Sequence, residues 1–371
     1  MLDKLIKFRR DLHQIPELEF DLFKTKEYLL NELNKLEFEI TITAKTGILA
    51  FKKGTIDETI AFRSDMDGLP IEELNDISFK SDKNMHACGH DSHMAMLLVF
   101  ANYLNNIKLN KNVLLIFQPA EEGPGGAKEI LKDDNFKKYN VKYILGIHVY
   151  PELNEGIYGL KEGYLTARNA EFDIYIKGIK SHGALPELGN DSIVIASNII
   201  NIIQSIVSRN ISPLEKAVIT IGKISGGDAR NIISGSCILN GTIRSYDLDV
   251  YNLIKRRIFE ITKGFEIAYN CNINLDIKDF YPPVYNDKYL YELAIKTFDK
   301  SKIYQLKPLM IAEDFSFYQE QISGLFIMLG VRNEKLNYIN PLHSPYFNLD
   351  EKSLINGINF YIEMSKSLNI F

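Results

Sequence analysis

NVLLIF, residues 112–117, is a short and continuous apolar run that lies between segments of helical pattern. A second run of this kind, YILGI, follows at 143–147. Strands that are apolar at nearly every position are covered on both faces, as in a parallel sheet with helices on either side. The two runs therefore predict an α/β fold with a mainly parallel sheet.

The N-terminal part of the chain continues this alternation of helices and strands. MLDKLIKFRRDLH predicts an amphipathic helix with Leu2, Leu5, Ile6 and Leu12 facing inward, and Asp91 stands near the start of an apolar-periodic helix. The other expected elements are a helix at 18–35 and strands at 38–43, 46–52 and 59–63. These elements extend the predicted sheet and cover it.

The sequence pattern changes at EFDIYIKG, residues 171–178, where every second side chain is apolar, as in a strand with one buried face. The segments that follow are a helix from Asp191 to about Ser208, strands at 217–224 and 237–244, a helix around 248–264 and a strand at 271–277. The order β-α-β-β-α-β is the ferredoxin-like arrangement.

The C-terminal part returns to the first pattern. GLFIMLG, residues 324–330, predicts another buried strand, and YPPVYND, residues 281–287, has the composition of a hinge. We therefore predict one discontinuous α/β domain, residues 1–170 plus 285–371, with a ferredoxin-like domain inserted at 171–284.

The composition excludes several classes of partner. A net charge of −5 over 371 residues argues against binding to nucleic acid or to an anionic membrane. Three cysteines without regular spacing are a poor disulfide framework and indicate a reducing compartment. The N-terminus carries charges where a signal peptide needs an apolar run, and we find no uncharged span near the roughly 18 residues of a membrane helix. These observations predict a cytoplasmic protein.

Metal-seeking side chains are concentrated in MHACGHDSH, residues 85–93. Thiolate and imidazole are preferred ligands of divalent metals such as zinc, and a Cys88-Gly-His90 pair before a helix can hold both donors in a rigid turn. His86 or His93 could instead be capping or core residues. The segment indicates a metal site with Cys88 and His90 as candidate ligands.

A pair of acidic residues follows the first apolar run, in the loop QPAEEGPGG. Loops at the carboxyl ends of parallel strands are where α/β proteins place their sites. Adjacent buried carboxylates repel each other, so Glu121 and Glu122 need a cation or a proton. One of them can bind metal while the other takes a proton from water. A solvated acidic turn is the structural alternative.

Two further segments each carry one histidine, and a third carries two aspartates. His148 directly follows the second apolar run, and His343 lies among prolines in PLHSPYF; either one alone is compatible with a structural role. In RSDMDGLP, Asp65 and Asp67 could ligate metal or hold a ligand imidazole through its outer nitrogen. A turn or a helix cap is the alternative for these aspartates. The coincidence of all these segments favours a metal centre.

The motifs RSDMDGLP, MHACGHDSH, QPAEE, GIHVYP, SHGALP and LHSPYF resemble, in this order, those of the M20 metallopeptidase family and more narrowly of its amidohydrolase branch. The resemblance covers essentially the whole chain. It implies a zinc-peptidase-like domain with an inserted lid domain that also forms a homodimer or a higher homo-oligomer. It further implies a small-molecule N-acyl amino acid as substrate.

The resemblance also implies the roles of individual residues. Cys88 would bridge two divalent metal ions, Glu121 would be the general base and acid, and Asp67 would support the site. Asp65 stands where many members have a histidine ligand, a departure shared with the amidohydrolase branch. Zinc, manganese, cobalt and nickel all tolerate such a site. The implied ligands are Cys88, His90, Glu122, His148 and His343.

The inserted domain resembles the family's lid at His182, Asn231 and Arg244. By this resemblance, His182 would reach a neighbouring active site and help to stabilise the oxyanion. Asn231 and Arg244 would hold the substrate carboxylate, which suits the bidentate geometry of a guanidinium. Ser181 replaces a glycine of the usual motif, and Arg244 at a strand end could also be a solvated edge charge.

Within this branch, FQPAEEGPGGA, AVITIGKI, NII and GTIR look like the deacetylases that act on N-acetyl-LL-2,6-diaminopimelate in bacterial lysine biosynthesis. Such a reaction releases acetate and LL-2,6-diaminopimelate. One alternative is a broader N-acyl-amino-acid hydrolase of the aminoacylase or hippurate hydrolase type. Another is a non-catalytic metal-binding protein, against which the Glu121–Glu122 pair argues because metal storage needs no spare base.

Overall fold

The computed structural model describes all 371 residues, which form two compact units. The first unit consists of Met1–Leu165, Val284–Pro308 and Glu313–Phe371. The second unit consists of Thr166–Pro283 and the short segment Leu309–Ala312. Nothing in the sequence pattern singled out that short segment as part of the second unit.

Aspartate side chains cap the N-termini of four of the ten α-helices. In chain order the helices are α1 (Leu2–His13), α2 (Phe23–Leu33), α3 (His90–Leu104), α4 (Gly126–Lys132), α5 (Asp134–Lys137), α6 (Ser192–Ser205), α7 (Leu248–Tyr269), α8 (Lys288–Thr297), α9 (Ser316–Gln319) and α10 (Ile355–Ser367). Asp191 and Asp247 cap α6 and α7 by accepting hydrogen bonds from backbone N–H groups of the first turn. Each such cap contributes about 1 kcal/mol. The prediction of Asp91 near the start of a helix is confirmed, since α3 begins one residue earlier.

The strands confirm the apolar runs noted in the sequence. In chain order they are β1 (Glu39–Thr43), β2 (Gly47–Lys52), β3 (Ile56–Asp65), β4 (Lys111–Gln118), β5 (Val141–Asn154), β6 (Tyr158–Leu160), β7 (Gly163–Tyr164), β8 (Arg168–Lys177), β9 (Ser181–His182), β10 (Ala217–Gly226), β11 (Ile232–Ile233), β12 (Ser236–Ser245), β13 (Asn272–Asp279), β14 (Tyr285–Asn286), β15 (Ile303–Gln305) and β16 (Ser323–Arg332). The runs at 112–117, 143–147 and 324–330 lie within β4, β5 and β16.

Eight strands of the first unit form one sheet in the order β1-β2-β4-β3-β5-β16-β6-β15. The central strands β4, β3, β5 and β16 are parallel neighbours, whereas β1–β2, β2–β4 and β16–β6 pair antiparallel. The sheet is therefore mixed, and the prediction of a mainly parallel sheet is correct only for its centre. A short turn joins β1 to β2, and a hairpin of this kind makes its two strands antiparallel whatever their apolar pattern.

Helices pack on this sheet and form the core of the first unit. α3 is buried from His90 to Ala101 and packs against β3, β4, β5, α1, α2 and α10. In α1, Leu5 and Leu12 are fully buried, whereas Leu2 and Ile6 are half-buried. Because the core surrounds α3, the side chains at its N-terminus have little freedom to move.

The second unit follows the order β8-α6-β10-β12-α7-β13. Its main sheet is antiparallel throughout, in the order β10-β12-β8-β13, and matches the predicted β-α-β-β-α-β pattern. The alternating residues Phe172, Ile174 and Ile176 of β8 are buried in a core shared with α6 and α7. β9 and β11 form a separate two-stranded ribbon.

One helix of the second unit corrects the sequence analysis. The helical segment Ser192–Asn210 is long and apolar enough to cross a membrane by length and composition alone, and we found no such span in the sequence. Ile195, Ile199 and Ile203 of this segment are fully buried in the core of the second unit. Packing in this core therefore accounts for these three residues, whereas Ile193, Val194 and Ile202 of the same segment are exposed.

Candidate metal centre

The candidate site lies where the central parallel strands end. The register of β3 with β4 places Asp65 beside Gln118, so the segments that follow these strands start at the same edge of the sheet. His148 lies within β5 and not after it. However, the pairing of β5 with β3 ends at Gly146, so His148 lies two residues beyond the paired segment. Parallel neighbours thus deliver residues from three chain segments to one place.

The five predicted ligands converge there. Cys88 Sγ lies 3.4 Å from His148 Nε2 and 3.3 Å from His343 Nε2. Glu122 Oε1 lies 3.1 Å from His343 Nε2 and 4.0 Å from His90 Nε2. Donor atoms of Cys88, His90 and Glu122 all lie within 4.8 Å of one another. His343 is the most open of the five, with 52% of its side chain exposed.

The backbone takes unusual conformations beside these side chains. His343 has φ = 63° and Ala120, which precedes the glutamate pair, has φ = 58°. Residues other than glycine rarely adopt this region, and such strain is concentrated at functional sites. Gly89 has φ = 83°, and a Cβ atom there would lie 2.4 Å from Val149 Cγ2. The turn between Cys88 and His90 therefore requires glycine.

Asp67 ties the glutamate loop to α3. Its carboxylate accepts hydrogen bonds from the backbone N–H groups of Glu121, at 3.1 Å, and Glu122, at 3.0 Å. Asp67 Oδ1 also lies 3.4 Å from His90 Nδ1. One carboxylate thus contacts the backbone of both glutamates and faces one ring nitrogen of His90, while the supporting role of Asp67 stays a prediction.

Asp65 contacts a histidine that is not among the five predicted ligands. Its Oδ1 lies 2.6 Å from Nδ1 of His93, and its Oδ2 accepts a hydrogen bond of 2.7 Å from Arg63. The nearest approach to His90 is 3.8 Å. Of the two roles left open for Asp65, the geometry therefore favours holding an imidazole, and that imidazole belongs to His93.

Sequence reasoning missed a group of buried charges behind the site. Arg63 Nη2 bonds Asp314 Oδ1 at 2.7 Å and lies 3.1 Å from Glu313 Oε1. Gln118 also donates to Asp314, and donor atoms of Glu121, Glu313 and Asp314 lie within 4.8 Å of one another. The only hint in the sequence was Arg63 at the end of a buried strand. An arginine in this position indicates a buried ion pair only once its acidic partners are known.

Burial and neighbouring charges shift the acidities at the site. Burial, together with Glu313 and Glu122, raises the pKa of Glu121 well above its usual range. Burial, Glu122 and Glu121 likewise raise the pKa of the Cys88 thiol. Burial opposes a charge on His90, but Asp65 and Asp67 outweigh it and raise the pKa of His90 to about 10. The acidic groups thus favour a positive charge at this position.

The donor set is suited to divalent metal ions. Both ring nitrogens of His90 are buried without a hydrogen bond, and the buried Oε1 of Glu122 has only the contact of 3.1 Å with His343 Nε2. Buried polar atoms normally have partners, so such atoms mark a position for an additional group. Thiolate, imidazole and carboxylate are the usual ligands of zinc and of neighbouring transition metals. A cation would also relieve the repulsion among Cys88, Glu121 and Glu122.

The second unit holds the three predicted lid residues. His182 lies in β9, opposite Ile232 of β11, and Asn231 O accepts a hydrogen bond of 2.8 Å from the neighbouring Gly183 N. His182 and Asn231 are exposed and close in the fold. Arg244 is half-buried on β12 and donates to Ile243 O at 3.1 Å. The ribbon therefore brings His182 and Asn231 together, whereas Arg244 lies on the main sheet of the same unit.

A second group of buried charges lies under α1 and was also missed. His13 Nδ1 lies 2.8 Å from Asp91 Oδ2, and His13 Nε2 lies 3.1 Å from Glu73 Oε2. Arg9 bonds Asp91 at 3.0 Å and Asn348 at 3.0 Å, and all these side chains are largely buried. The predicted amphipathic helix thus also carries a charged contact to the first turn of α3.

We expect the His13→Gln substitution to remove a pH-dependent part of the stability. Burial opposes the charge on His13, but Asp91 and Glu73 outweigh it and raise its pKa. The charged His13 therefore contributes fully to the stability of the fold below the ordinary histidine pKa of about 6.5, and this contribution is lost as pH rises through its raised pKa. Thermal unfolding from pH 6 to 9 should show a wild-type decline that is flatter in the variant.

The stability contributed by a carboxylate of this group changes with pH in the opposite direction. Burial raises the pKa of Glu73, but His13 outweighs it and lowers that pKa to about 2. Glu73 therefore contributes to stability above its ordinary pKa, and this contribution is lost as pH falls through its lowered pKa.

The control for His13→Gln is Lys7→Gln on the same helix, because the ion pair of Lys7 with Asp11 is exposed and worth about 1 kcal/mol or less. Equal pH profiles for wild type and His13→Gln would contradict the prediction.

Known proteins share this fold and these sequence features. The profile described as peptidase family M20/M25/M40 matches residues 61–367. A Geobacillus sp. (strain WCH70) protein named N-acetyldiaminopimelate deacetylase is 40% identical over 370 residues, which are 97% of this chain and 97% of that protein. A relative of the same name from Priestia megaterium (strain ATCC 12872 / QMB1551) is 41% identical over 341 residues, or 90% of this chain and 91% of the relative.

Solved structures agree over the whole chain. A structure from methicillin-resistant Staphylococcus aureus has a TM-score of 0.94 at 33% identity and covers 100% of this chain and 97% of its own. The YXEP protein of Bacillus subtilis, described as a dinuclear metal-binding peptidase of the M20 family, has a TM-score of 0.85 at 31% identity, with 99% and 98% coverage. Both the profile and the near-full-length relatives therefore show that the chain belongs to peptidase family M20/M25/M40.

Proposed function

We propose that the protein is a metal-dependent amide hydrolase that converts N-acetyl-LL-2,6-diaminopimelate and water into LL-2,6-diaminopimelate and acetate. The observation that carries this proposal is the convergence of one thiol, three imidazoles and one carboxylate, with Glu121 beside them. The named activity of the Geobacillus and Priestia relatives supports the choice of substrate.

The five converging side chains would hold two divalent metal ions. Cys88 Sγ lies 3.4 Å from His148 Nε2 and 3.3 Å from His343 Nε2, and it would be the ligand that both ions share, as the family resemblance implies. His90 and Glu122 would complete the ligand set. The ions would supply Lewis-acid activation of water and of the amide carbonyl at neutral pH. Zinc, manganese, cobalt and nickel all suit these donors.

Glu121 would carry the proton through the reaction. Its Oε2 lies 3.9 Å from His90 Nε2, so its carboxylate borders the ligand cluster. It would take a proton from the attacking water and then deliver one to the amine that leaves. Asp67 would keep Glu121 in position through the hydrogen bond to its backbone N–H.

The second unit would act as the lid and as the contact between copies of the chain. His182 would reach the site of a neighbouring copy and stabilise the oxyanion of the tetrahedral intermediate. Asn231 and Arg244 would hold the carboxylate of the substrate, so that its amide lies within reach of the nucleophile. This part of the proposal predicts a homodimer or a higher homo-oligomer, which sedimentation of the whole chain would distinguish from a monomer.

A kinetic comparison of two amides tests the substrate. We expect a much higher kcat/KM for N-acetyl-LL-diaminopimelate than for N-acetyl-methionine, because only the first carries a second amino-acid head group. The assay adds metal back after chelation, so that inactive apoprotein is not mistaken for selectivity.

Arg244→Ala should raise KM for both amides by about 10- to 100-fold. Both substrates carry the carboxylate that Arg244 would bind, and a hydrogen bond to a charged group is worth about 1.5–3 kcal/mol.

The outcomes separate the proposal from its alternatives. Similar kcat/KM values for the two amides, or a preference for N-benzoyl-amino acids, would identify the broader N-acyl-amino-acid hydrolase. Bound metal without turnover of any acyl-amino acid would identify a binding protein. A KM unchanged by Arg244→Ala would remove Arg244 from the substrate site and leave the metal centre unaffected.

A further inference from the structure

His93 is a fully buried histidine that contacts both neighbouring imidazoles of the ligand cluster. It lies three residues after His90 on α3, so the two side chains share one face of the helix. The ring centroid of His93 is 5.5 Å from that of His90 and 4.6 Å from that of His148, with edge-to-face packing against the latter. A side chain in this position can orient the rings that it touches.

The hydrogen bonds of His93 specify a single tautomer. Its Nε2 accepts a hydrogen bond of 2.9 Å from the backbone N–H of Val149 and therefore carries no proton. Its Nδ1 must then hold the proton and donate it to Asp65 Oδ1 at 2.6 Å. Arg63 holds the other oxygen of Asp65 at 2.7 Å and so favours the carboxylate form that accepts this bond. Both ring nitrogens are occupied, so His93 has no lone pair for a metal ion.

The same backbone residue orients His148. The carbonyl oxygen of Val149 lies 2.7 Å from His148 Nδ1. A carbonyl can only accept, so Nδ1 of His148 carries the proton and its Nε2 is the unprotonated nitrogen that faces Cys88 Sγ at 3.4 Å. The Val149 side chain also lies close to Gly89, where an added Cβ atom would be 2.4 Å from Val149 Cγ2. His93 therefore anchors the residue whose carbonyl sets the tautomer of His148.

We propose that His93 is a positioning residue, which holds the Val149 backbone and thereby presents the unprotonated Nε2 of His148 to the ligand cluster. Asp65, fixed by Arg63, determines which nitrogen of His93 carries the proton. This inference rests on the proposed function, because it gives His148 a metal to bind. Partners of this kind typically change metal affinity or activity by about 10- to 100-fold when they are removed.

Two substitutions at position 93 separate positioning from simple filling of space. The amide of glutamine reaches approximately the position of Nε2 and can still accept from Val149 N–H. The shorter asparagine reaches only the position of Nδ1 and cannot. We expect His93→Gln to keep its affinity for Co²⁺ within a few-fold of wild type, and His93→Asn to lose about 10- to 100-fold at one of the two sites.

The measurement uses the full chain loaded with Co²⁺ and titrated with a chelator, followed by visible absorption. His86→Gln is the matched control, because His86 is also a buried imidazole of the same segment, but its ring packs 6.4 Å from that of His13 and it is not one of the five proposed ligands. Unchanged affinity in His93→Asn, or an equal loss in both position-93 variants, would overturn the inference. A His148→Ala variant that still holds two ions would instead overturn the metal assignment of the proposed function.

A direct observation of the tautomer remains decisive if His93→Asn does not fold. In ¹⁵N-histidine-labelled wild type, His93 should show a protonated Nδ1 and an unprotonated Nε2, with the signal identified by its absence in His93→Gln. This pattern is not required of a histidine that only fills space. A protonated Nε2 on His93 would exclude the bond from Val149 and refute the inference.

Discussion

Glu121→Gln should leave both metal ions bound and lower kcat by about 10²- to 10⁴-fold. The glutamine amide has nearly the same shape, but it can neither take a proton from water nor deliver one to the leaving amine. The substitution leaves the backbone N–H of residue 121 bonded to Asp67, so the loop and the ligand Glu122 keep their positions. The measurement is kcat for the acetylated substrate together with metal content per chain.

A control and two contrary outcomes define this test. Glu129→Gln removes an exposed carboxylate in the next helix, where it bonds Lys132, and should change neither quantity. Near-normal turnover in Glu121→Gln would mean that another group carries the proton. A loss of metal from Glu121→Gln would mean that this carboxylate is a ligand.

Cys88→Ser should lose metal and activity together. A serine hydroxyl keeps its proton at neutral pH and is a weaker donor, so the pair of imidazole nitrogens 3.4 Å and 3.3 Å from Sγ would lose the anion between them. We expect fewer than two ions per chain. Because bound ions supply several kcal/mol of transition-state stabilisation, kcat/KM should fall by at least about 10²-fold.

Metal analysis and kinetics on the same preparation check this result. Cys271→Ser is the matched control, because its thiol is half-buried in the second unit. Unfolding temperature and circular dichroism of Cys88→Ser show whether the chain still folds. Two ions per chain with full activity would remove Cys88 from the ligand set, and full metal content without activity would give its sulfur a different role.

Strands of both units show how far local patterns predict a fold. The run at 112–117 became β4 and the alternation at 171–177 lies in β8, because the burial of a strand's faces determines which positions must be apolar. The direction of strands is different, since β2 and β4 are antiparallel neighbours although both are largely apolar. Pairing direction depends on how the chain connects the strands, which apolar pattern does not encode.

At the candidate metal centre, too, local motifs predicted some features and tertiary packing decided others. The predicted ligands could be named because each one lies in a compact motif with its own chemistry, and the fold brings them together. The roles given to Asp67, Glu121, His182, Asn231 and Arg244 remain predictions until kinetics test them. Asp65 had two open roles in the sequence, and its contact with His93 was decided by the packing of β3 against α3.

The sequence by itself determined the main helices and strands of both units, the family and the candidate ligands, because each leaves a signature within a few neighbouring residues. Only the tertiary structure decided that the sheet is mixed and which charges are buried together. Arg63 meets Asp314 from 251 positions away, and His13 meets Asp91 from 78 positions away. A buried charge is stable only with its partner, and that partner is supplied by packing between distant elements, for which no local pattern exists.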